Sequence, residues 1–494
     1  MVGGPEPVAA CGTLWDSGGM YWVAGAFAAI LAAFANRYGY HRDELYFLAA
    51  GRRLDWGYPD QPPFTPLVAR SVSSIDADSL VLLRVPAILG AVLVVLCAGW
   101  MARELEGGRA ARALASGAVA SAALVLGVGH LLSTAVFDLA AWALISLLVL
   151  KLLNGADTRW WLAVGVVTGV GLQNKALLVF PVLALVVSLV VVGPRKVFAT
   201  RYFPAAVLIA GLIWLPYLLW QANNGWPQWA LSRAIAGGSS GTSDSAIEFA
   251  LLQFGLMGPL LVPLWAYGLW RLWRAPRYRA FAVGYALLFV VFLTTGGKAY
   301  YLGGMYPILL AAAVVPAAAW LARHRIRWAV AISLVLVNAL ASVVLFLPVL
   351  PISSLNDSPV LAVNYDAGET IGWPEFVRQI GQVRAALGPD VTILTANYGE
   401  AAAIERFGAP YNLPTPYSGH NAYWWWGPPA STPETITIGI DPTQLSDFFT
   451  DCQPVTRIDN GLGIDNDEQS EPVFLCRDSR APWGELWPRA KHFG

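Results

Sequence analysis

The sequence predicts a polytopic α-helical membrane protein with about 11 transmembrane helices, followed by a C-terminal α/β domain outside the bilayer. Two observations predict it. Of 494 residues, 56% are hydrophobic and only 13% charged, with a mean hydropathy of +0.53, whereas soluble domains carry about 25% charged residues. The chain also changes character near Pro351: long apolar segments recur before it, and after it they shorten while Pro, Asp and Asn return. This divides the chain into 1–350 in the membrane and 351–494 outside it. Equal numbers of basic and acidic residues, 32 each, leave no net charge and no nucleic-acid footprint. The 22 Trp and 18 Tyr suit interfacial aromatic belts.

In chain order, residues 1–18 contain no Lys or Arg, so the basic start of a signal peptide is missing and none is expected. The first apolar segment covers 19–36 and leads into a polar loop, 37–79. Ten more follow near 80–102, 111–131, 134–153, 159–173, 176–193, 203–220, 247–271, 279–295, 302–321 and 326–347. The run 160–192 reads as one span or two. A single helix of that length reaches roughly 50 Å at 1.5 Å per residue, too long for a hydrocarbon core of roughly 30 Å. Two short spans with a turn at Gln173-Asn174-Lys175 fit better.

Charge supports that division and sets the orientation. Basic residues cluster in five short loops, beginning at Arg103, Lys151, Arg195, Arg271 and Arg323. If all five are cytoplasmic, an even number of spans separates each from the next. Eleven spans result, with the amino terminus inside and the C-terminal domain extracytoplasmic at the plasma membrane. Arg37 and Arg42 conflict locally, because they fall on the outer side.

Beyond Pro351, helical periodicity over 373–387 and strand-like runs at 391–396 and 435–440, each followed by a helix-like stretch (400–407 and 442–450), predict the α/β domain. Cys452 and Cys476 both fall there, so a disulfide is open but not decided by sequence; Cys11 and Cys97 belong to the membrane part.

The stretch with chemistry is Tyr40-His41-Arg42-Asp43-Glu44-Leu45-Tyr46, directly after the first apolar segment. Two adjacent carboxylates at the edge of a span are costly to hold there. The loop continues as HRDELYFLAAGRRLDWGYPDQPPFTPLVAR. An acidic pair, an amphipathic stretch and a Tyr-Pro-Asp-Gln-Pro-Pro turn containing Asp60 resemble the GT-C glycosyltransferases of family 39. That group is related to the protein O-mannosyltransferases and the lipid A aminoarabinose transferase. Leu132 through Asp138 and Lys298-Ala299-Tyr300-Tyr301 are similar to further patterns of that family. The resemblance covers the membrane part, about 350 residues.

It implies an inverting transferase that moves a sugar from a polyprenyl-phosphate donor to a glycan, lipid or protein acceptor hydroxyl at the outer face. It also implies that Asp43 is the catalytic carboxylate. Independently, an attacking hydroxyl must lose its proton and a positioned carboxylate accepts it. The alternative for Asp43 is an interfacial ion pair with Arg42 or Arg37. Glu44, the other catalytic candidate, points elsewhere on a helix, where orientation or capping suits it. A lipid-phosphate leaving group calls for a cation. Lys298, beside Tyr300 and Tyr301, is the first candidate and Arg84 the second, against simple snorkelling. Asp138, Lys175, His41, Asp60, His420 and Asn421 are candidate substrate contacts. Helix packing is the alternative for Asp138, and turn exposure the alternative for Lys175. A divalent metal between Asp43 and Asp138 stays open, though no ligand cluster demands one. The stretch 237–243 reads as a lid or a linker, and the aromatic run 417–427 as a sugar-stacking or membrane-resting surface. The competing function is transport or flipping of a lipid-linked saccharide, but the sequence shows no internal repeat of the kind transporters carry.

Overall fold

The computed structural model describes residues 18–237, 245–388, 390–430 and 433–493. Each of the eleven apolar segments folds as one helix or one bent helix pair. Among the described residues, five helices are long and apolar enough to cross a membrane: Leu80–Glu104, Thr134–Leu153, Tyr202–Asn223, Ala299–Leu321 and Arg325–Phe346. The pairs Arg109–Ala120 with Ala123–His130, and Ala246–Leu256 with Pro259–Arg274, bend by 64° and 82° and would bring the number to seven. Four shorter apolar helices, Gly18–Phe34, Trp160–Leu172, Ala176–Val192 and Arg279–Thr294, complete the set. The 160–192 run breaks at Gln173-Asn174-Lys175, where the charge argument requires a turn.

Burial sorts the long helices into centre and rim. The apolar windows of Thr134–Leu153 and Ala299–Leu321 are 78% buried, whereas those of Tyr202–Asn223 and Arg325–Phe346 are only 11% buried. Leu208, Leu212, Leu336 and Leu340 stand exposed on these two helices, apolar side chains suited to lipid. Small residues bring helices close, as expected where packing rather than water drives association. A Cβ added at Gly268 would lie 1.9 Å from the Leu309 carbonyl oxygen, and one at Gly165 would lie 2.5 Å from that of Ala206.

Both helix breaks strand carbonyls that lipid cannot satisfy. One buried amide serves both: Asn338 Nδ2 donates to the Ser121 carbonyl (2.9 Å) and to the Met257 carbonyl (3.0 Å). Gly258, at φ +89°, has no room for a Cβ against the same Asn338 side chain. The two bends are therefore tied to one another and to Arg325–Phe346.

The first polar loop is ordered rather than extended. It forms the helices Arg42–Arg52 and Phe64–Ser73. After residue 351 come strands β1 (Val391–Thr395), β2 (Pro416–Ser418), β3 (Glu434–Ile438), β4 (Phe449–Arg457) and β5 (Pro472–Ser479). The sheet order is β2-β1-β3-β5-β4, with β2, β1 and β3 parallel, and β5 antiparallel to both β3 and β4. The expected strands at 391–396 and 435–440 are β1 and β3; their alternation with Trp373–Ala385, Tyr398–Phe407 and Pro442–Phe448 is the pattern that made them legible. Cys452 and Cys476 face each other across β4 and β5 and form a disulfide; Cys97 is free and buried, and Cys11 lies outside the described residues.

The loop helix Arg42–Arg52 does not pack only on the membrane part. Leu45, Tyr46, Ala49 and Ala50 share one apolar core with Phe376, Ile380, Ala402, Ile404 and Ile436. The loop, which the sequence reading assigned to 1–350, is thus built into the same core as residues beyond 351. Arg37 donates to the Val349 carbonyl (3.1 Å), and Arg42 pairs with Glu369 (3.4 Å) and with Asp467. These are the two arginines that conflict with the charge rule; Arg42 serves this docking, and Arg37 ties the loop to the end of the membrane part at Val349.

Candidate active site

The loop helix starts at His41, whose Nδ1 accepts from the Asp43 N–H (3.2 Å), while its own N–H donates to Glu44 (2.9 Å), a reciprocal capping box. Neighbours on a helix turn about 100° apart, so Asp43 and Glu44 leave in different directions and meet different chemistry.

Glu44 is fully buried. Oε1 accepts from Arg84 Nε (2.9 Å) and the Leu132 N–H (3.0 Å), and Oε2 from Arg84 Nη2 (2.8 Å) and the His41 N–H (2.9 Å). Arg84, equally buried, also donates to the carbonyls of Ala35 (3.0 Å) and Gly39 (2.6 Å) and lies 3.3 Å from His130 Nε2. That engages all five guanidinium N–H groups. In this arrangement Glu44 caps the loop helix and holds Arg84, in line with the orienting or capping role, and Arg84, the second phosphate candidate, has no donor left to offer a phosphate. The pair ties the loop helix to the end of Gly18–Phe34, to Leu80–Glu104 and to the Leu132 backbone.

Asp43 is half-buried and differently equipped. Oδ1 accepts from the Tyr398 hydroxyl at 2.7 Å, and among the described residues Oδ2 accepts no hydrogen bond. Lys298, Arg42, His41 and Asp60 all lie within its electrostatic reach. Arg42 thus stays within electrostatic reach of Asp43 while its close ion pairs go to Glu369 and Asp467, and Arg37 donates to the Val349 carbonyl.

Lys298 immediately precedes the turn Ala299–Met305, which carries Tyr300 and Tyr301. Burial and the neighbouring Lys175 pull its ammonium below the ordinary value, and Asp43 and Asp366 only partly offset this. Lys175 lies over the rings of Tyr300 (4.9 Å) and Tyr301 (5.3 Å). Asp138 faces Lys175, and its buried Oδ1 has no hydrogen-bond partner; with Tyr300, Tyr301 and Trp142 it lines a small cavity. Charge and ring contacts therefore link Asp43, Lys298, Lys175, Tyr300, Tyr301 and Asp138 in one neighbourhood, with two cations and two phenol rings.

His41 Nε2 lies 3.6 Å from Asp366; burial lowers its basicity, but Asp366 and Asp43 more than offset that and raise it. Asp60 accepts from the Tyr46 hydroxyl (2.8 Å), and burial pushes its carboxyl up to about 7. His420 and Asn421 are buried rather than displayed. His420 lies behind Tyr398, 4.8 Å between ring centroids, and the Asn421 N–H donates to the His492 carbonyl (3.3 Å). The aromatic run 417–427 is likewise interior in part: Trp424 and Trp487 exchange indole-to-carbonyl bonds (2.8 and 2.9 Å), and the Ala422 N–H donates to the Tyr46 hydroxyl (3.3 Å). The stretch 237–243 falls outside the described residues except for Gly237. Asp43 and Asp138 are joined by no third ligand: among the described residues no group of three or more His, Cys, Asp or Glu side chains is placed to hold a metal ion.

Residues 60–220 match the model of the dolichyl-phosphate-mannose-protein mannosyltransferase family. ArnT of Cupriavidus metallidurans bound to undecaprenyl phosphate superposes with a TM-score of 0.60 over 93% of this chain and 98% of its own, at 15% identity. The chain has the GT-C fold. The apo form of the same protein agrees, with a TM-score of 0.58 over 92% and 97% of the two chains and again 15% identity. No curated protein sequence matches. The GT-C resemblance read from the acidic loop therefore stands at the level of the fold, with the family model matching 60–220 and the apolar helices in place.

Sequence reasoning missed Tyr398 and Asp366. They lie 355 and 325 positions from the side chains they face, Asp43 and His41, and no local pattern marks either. An available signal was the pair Asn397 and Glu400 after a strand-like run, which announces a helix start and hence a residue aimed off its first turn.

Proposed function

We propose that this protein is an inverting glycosyltransferase, moving a sugar from a polyprenyl-phosphate donor to an acceptor hydroxyl at the outer face of the plasma membrane. One observation carries the reading: of two adjacent carboxylates, one is saturated by Arg84 and backbone, while the other keeps an oxygen to which no described residue donates, within electrostatic reach of Lys298. Asp43 takes the proton of the attacking hydroxyl as the hydroxyl oxygen bonds to the anomeric carbon. The bond from that carbon to the phosphate oxygen breaks on the opposite face, and its electron pair leaves with the lipid phosphate. Lys298 and Lys175 meet the resulting charge. A lysine whose charge is disfavoured by burial and a neighbouring cation gains most when an anion arrives. That a protein of this fold binds undecaprenyl phosphate supports a lipid-phosphate donor here.

The same reading takes eleven crossings with the C-terminal part extracytoplasmic. The Cys452–Cys476 disulfide favours that side, since disulfides persist in oxidising compartments. The bent helix pairs resemble the broken helices of transporters, but their breaks meet at Asn338 rather than at ionisable side chains. The carboxylates and lysines sit elsewhere, which favours transfer chemistry over transport.

The test is to incubate purified protein with a panel of polyprenyl-phosphate sugars and candidate acceptors and to compare Asp43→Asn with the wild type. Asparagine keeps the shape and removes the base, so transfer falls by about 10²-fold or more while donor binding survives. Transfer near the wild-type rate by Asp43→Asn would sink the mechanism.

A further inference from the structure

We propose that Tyr398 is the positioning residue of Asp43, so that the part of the chain beyond residue 351 completes the catalytic machinery. This rests on the transfer reading above and goes beyond it in giving the C-terminal part a role in turnover itself.

The Tyr398 hydroxyl reaches Asp43 Oδ1 at 2.7 Å, the length of a charge-assisted bond. Its ring is held on two sides. Tyr46, from the same loop helix as Asp43, packs at 4.6 Å and 32°, and His420 packs at 4.8 Å and 46°. His420 is backed in turn by His492, at 4.8 Å and 27°. The end of the chain is pinned by the His492 N–H donating to the Gly419 carbonyl (3.1 Å) and by His492 Nε2, 2.9 Å from the Ala396 carbonyl.

The backbone is equally constrained. Tyr398 is the first residue of Tyr398–Phe407, whose capping box of Asn397 and Glu400 fixes the helix directly after β1. The next residue is Gly399, where an added Cβ would lie 3.0 Å from the Arg42 Cβ, so the two helices approach closely one residue away from Asp43.

A phenol in this position donates and does not take the proton itself. Burial and the Asp43 charge both push its ionisation well above the ordinary tyrosine value, with Arg42 pulling the other way. Lys298, Arg42, His41 and Asp60 also face the carboxylate, but none is within hydrogen-bond distance of it among the described residues, so Tyr398 alone fixes which way its oxygens point. With Oδ1 engaged, Oδ2 is turned to the acceptor. A carboxylate held in one rotamer presents its basic oxygen without a search, which raises turnover and leaves binding alone.

The experiment uses the full-length protein, with the donor and acceptor that the wild type turns over, and four forms: wild type, Tyr398→Phe, Asp43→Asn and the double variant. Phenylalanine keeps both ring contacts and removes the hydrogen bond. Expected are a kcat lowered about 10-fold or more, the size of a lost hydrogen bond to a charged group, an unchanged KM for donor, and an unchanged melting temperature. In the Asp43→Asn background, Tyr398→Phe should cost nothing further, because the group it orients is gone; a purely structural role would cost the same in both backgrounds. If Tyr398→Phe melts early, 3-fluorotyrosine at 398 keeps the ring contacts and alters only the strength of the O–H donor, and kcat should change with KM fixed. Wild-type kcat in the folded Phe or fluorotyrosine form, or equal losses in the two backgrounds, overturns the inference while an inactive Asp43→Asn leaves the transfer reading intact. Full activity of Asp43→Asn overturns both.

Discussion

Replacing Glu44 by Gln is, on sequence grounds, the natural control for Asp43→Asn, since it removes the same charge one residue away. The structure makes it a far more damaging change. Four hydrogen bonds converge on the two Glu44 oxygens, two of them from Arg84, and neither side chain is exposed to solvent. Glutamine keeps one accepting oxygen and turns an amide donor toward two N–H groups that need an acceptor. Arg84 then remains buried as an uncompensated cation, which costs about 3–5 kcal/mol when one partner of a buried pair is lost. That is a large share of the 5–15 kcal/mol that holds a typical domain. The expected result is a clearly lowered melting temperature in detergent, read by tryptophan fluorescence. Arg84→Met in the Glu44→Gln background should recover part of the loss, because it removes the stranded charge. A Glu44→Gln protein that melts within a degree of wild type would refute the reasoning, and with it the claim that this pair anchors the loop helix.

Two further outcomes are expected. Lys298→Met should weaken donor binding and turnover by about 1.5–3 kcal/mol, the size of a hydrogen bond to a charged group; calorimetry with a polyprenyl phosphate checks it, and unchanged affinity in a folded variant returns Lys298 to snorkelling. Glu400 is fully buried, and that burial raises its carboxyl to about 8, the capping bond from Asn397 only partly opposing it. Its folded value lies above the unfolded one near 4.5, so the folded state holds more protons, and stability falls by up to about 1.4 kcal/mol per pH unit as pH rises from 4.5 through 8. Glu400→Gln, which still completes a capping box, should flatten the fall in melting temperature between pH 6 and 8; an unchanged slope would refute the assignment.

What the sequence made legible follows from what is local in it. The eleven apolar segments were readable because each is a run of consecutive residues whose length alone bears on a bilayer. β1 and β3 were readable because strand and helix alternate within short windows. β4 and β5 were missed because their partners are each other and β3, and polar residues such as Asp451, Gln453, Thr456 and Asp478 interrupt the apolar pattern at the sheet edge. The disulfide stayed open for the same reason: cysteines 24 positions apart acquire a distance only once β4 is registered against β5. In the loop, Asp43 stands out as a candidate by its neighbourhood, and Lys298 ranks ahead of Arg84 only by its place beside Tyr300 and Tyr301. Both are lone cations near the outer end of an apolar segment. Only the fold shows that one spends every N–H on the protein and that the other lies near Lys175, Asp43 and Asp366.

On the proposed transfer reading, that difference gives the two carboxylates of the acidic pair separate roles. An acceptor base at a membrane edge must be held at a fixed height relative to the leaving phosphate, yet a base saturated by hydrogen bonds accepts no proton. One residue cannot meet both requirements. Here the helical turn between positions 43 and 44 divides them. Glu44 turns inward and locks the loop helix to Arg84, and through Arg84 to Ala35, Gly39 and the neighbourhood of His130. Asp43, carried on the same rigid backbone, turns toward Tyr398 and the Lys298 side with an oxygen to spare. The order of the two residues then matters as much as their identity. Exchanging them, Asp43→Glu with Glu44→Asp, conserves charge and composition but leaves a carboxylate too short to span Arg84, His41 and Leu132 together, so fold and turnover should both fail where either single Asn or Gln variant impairs chiefly one.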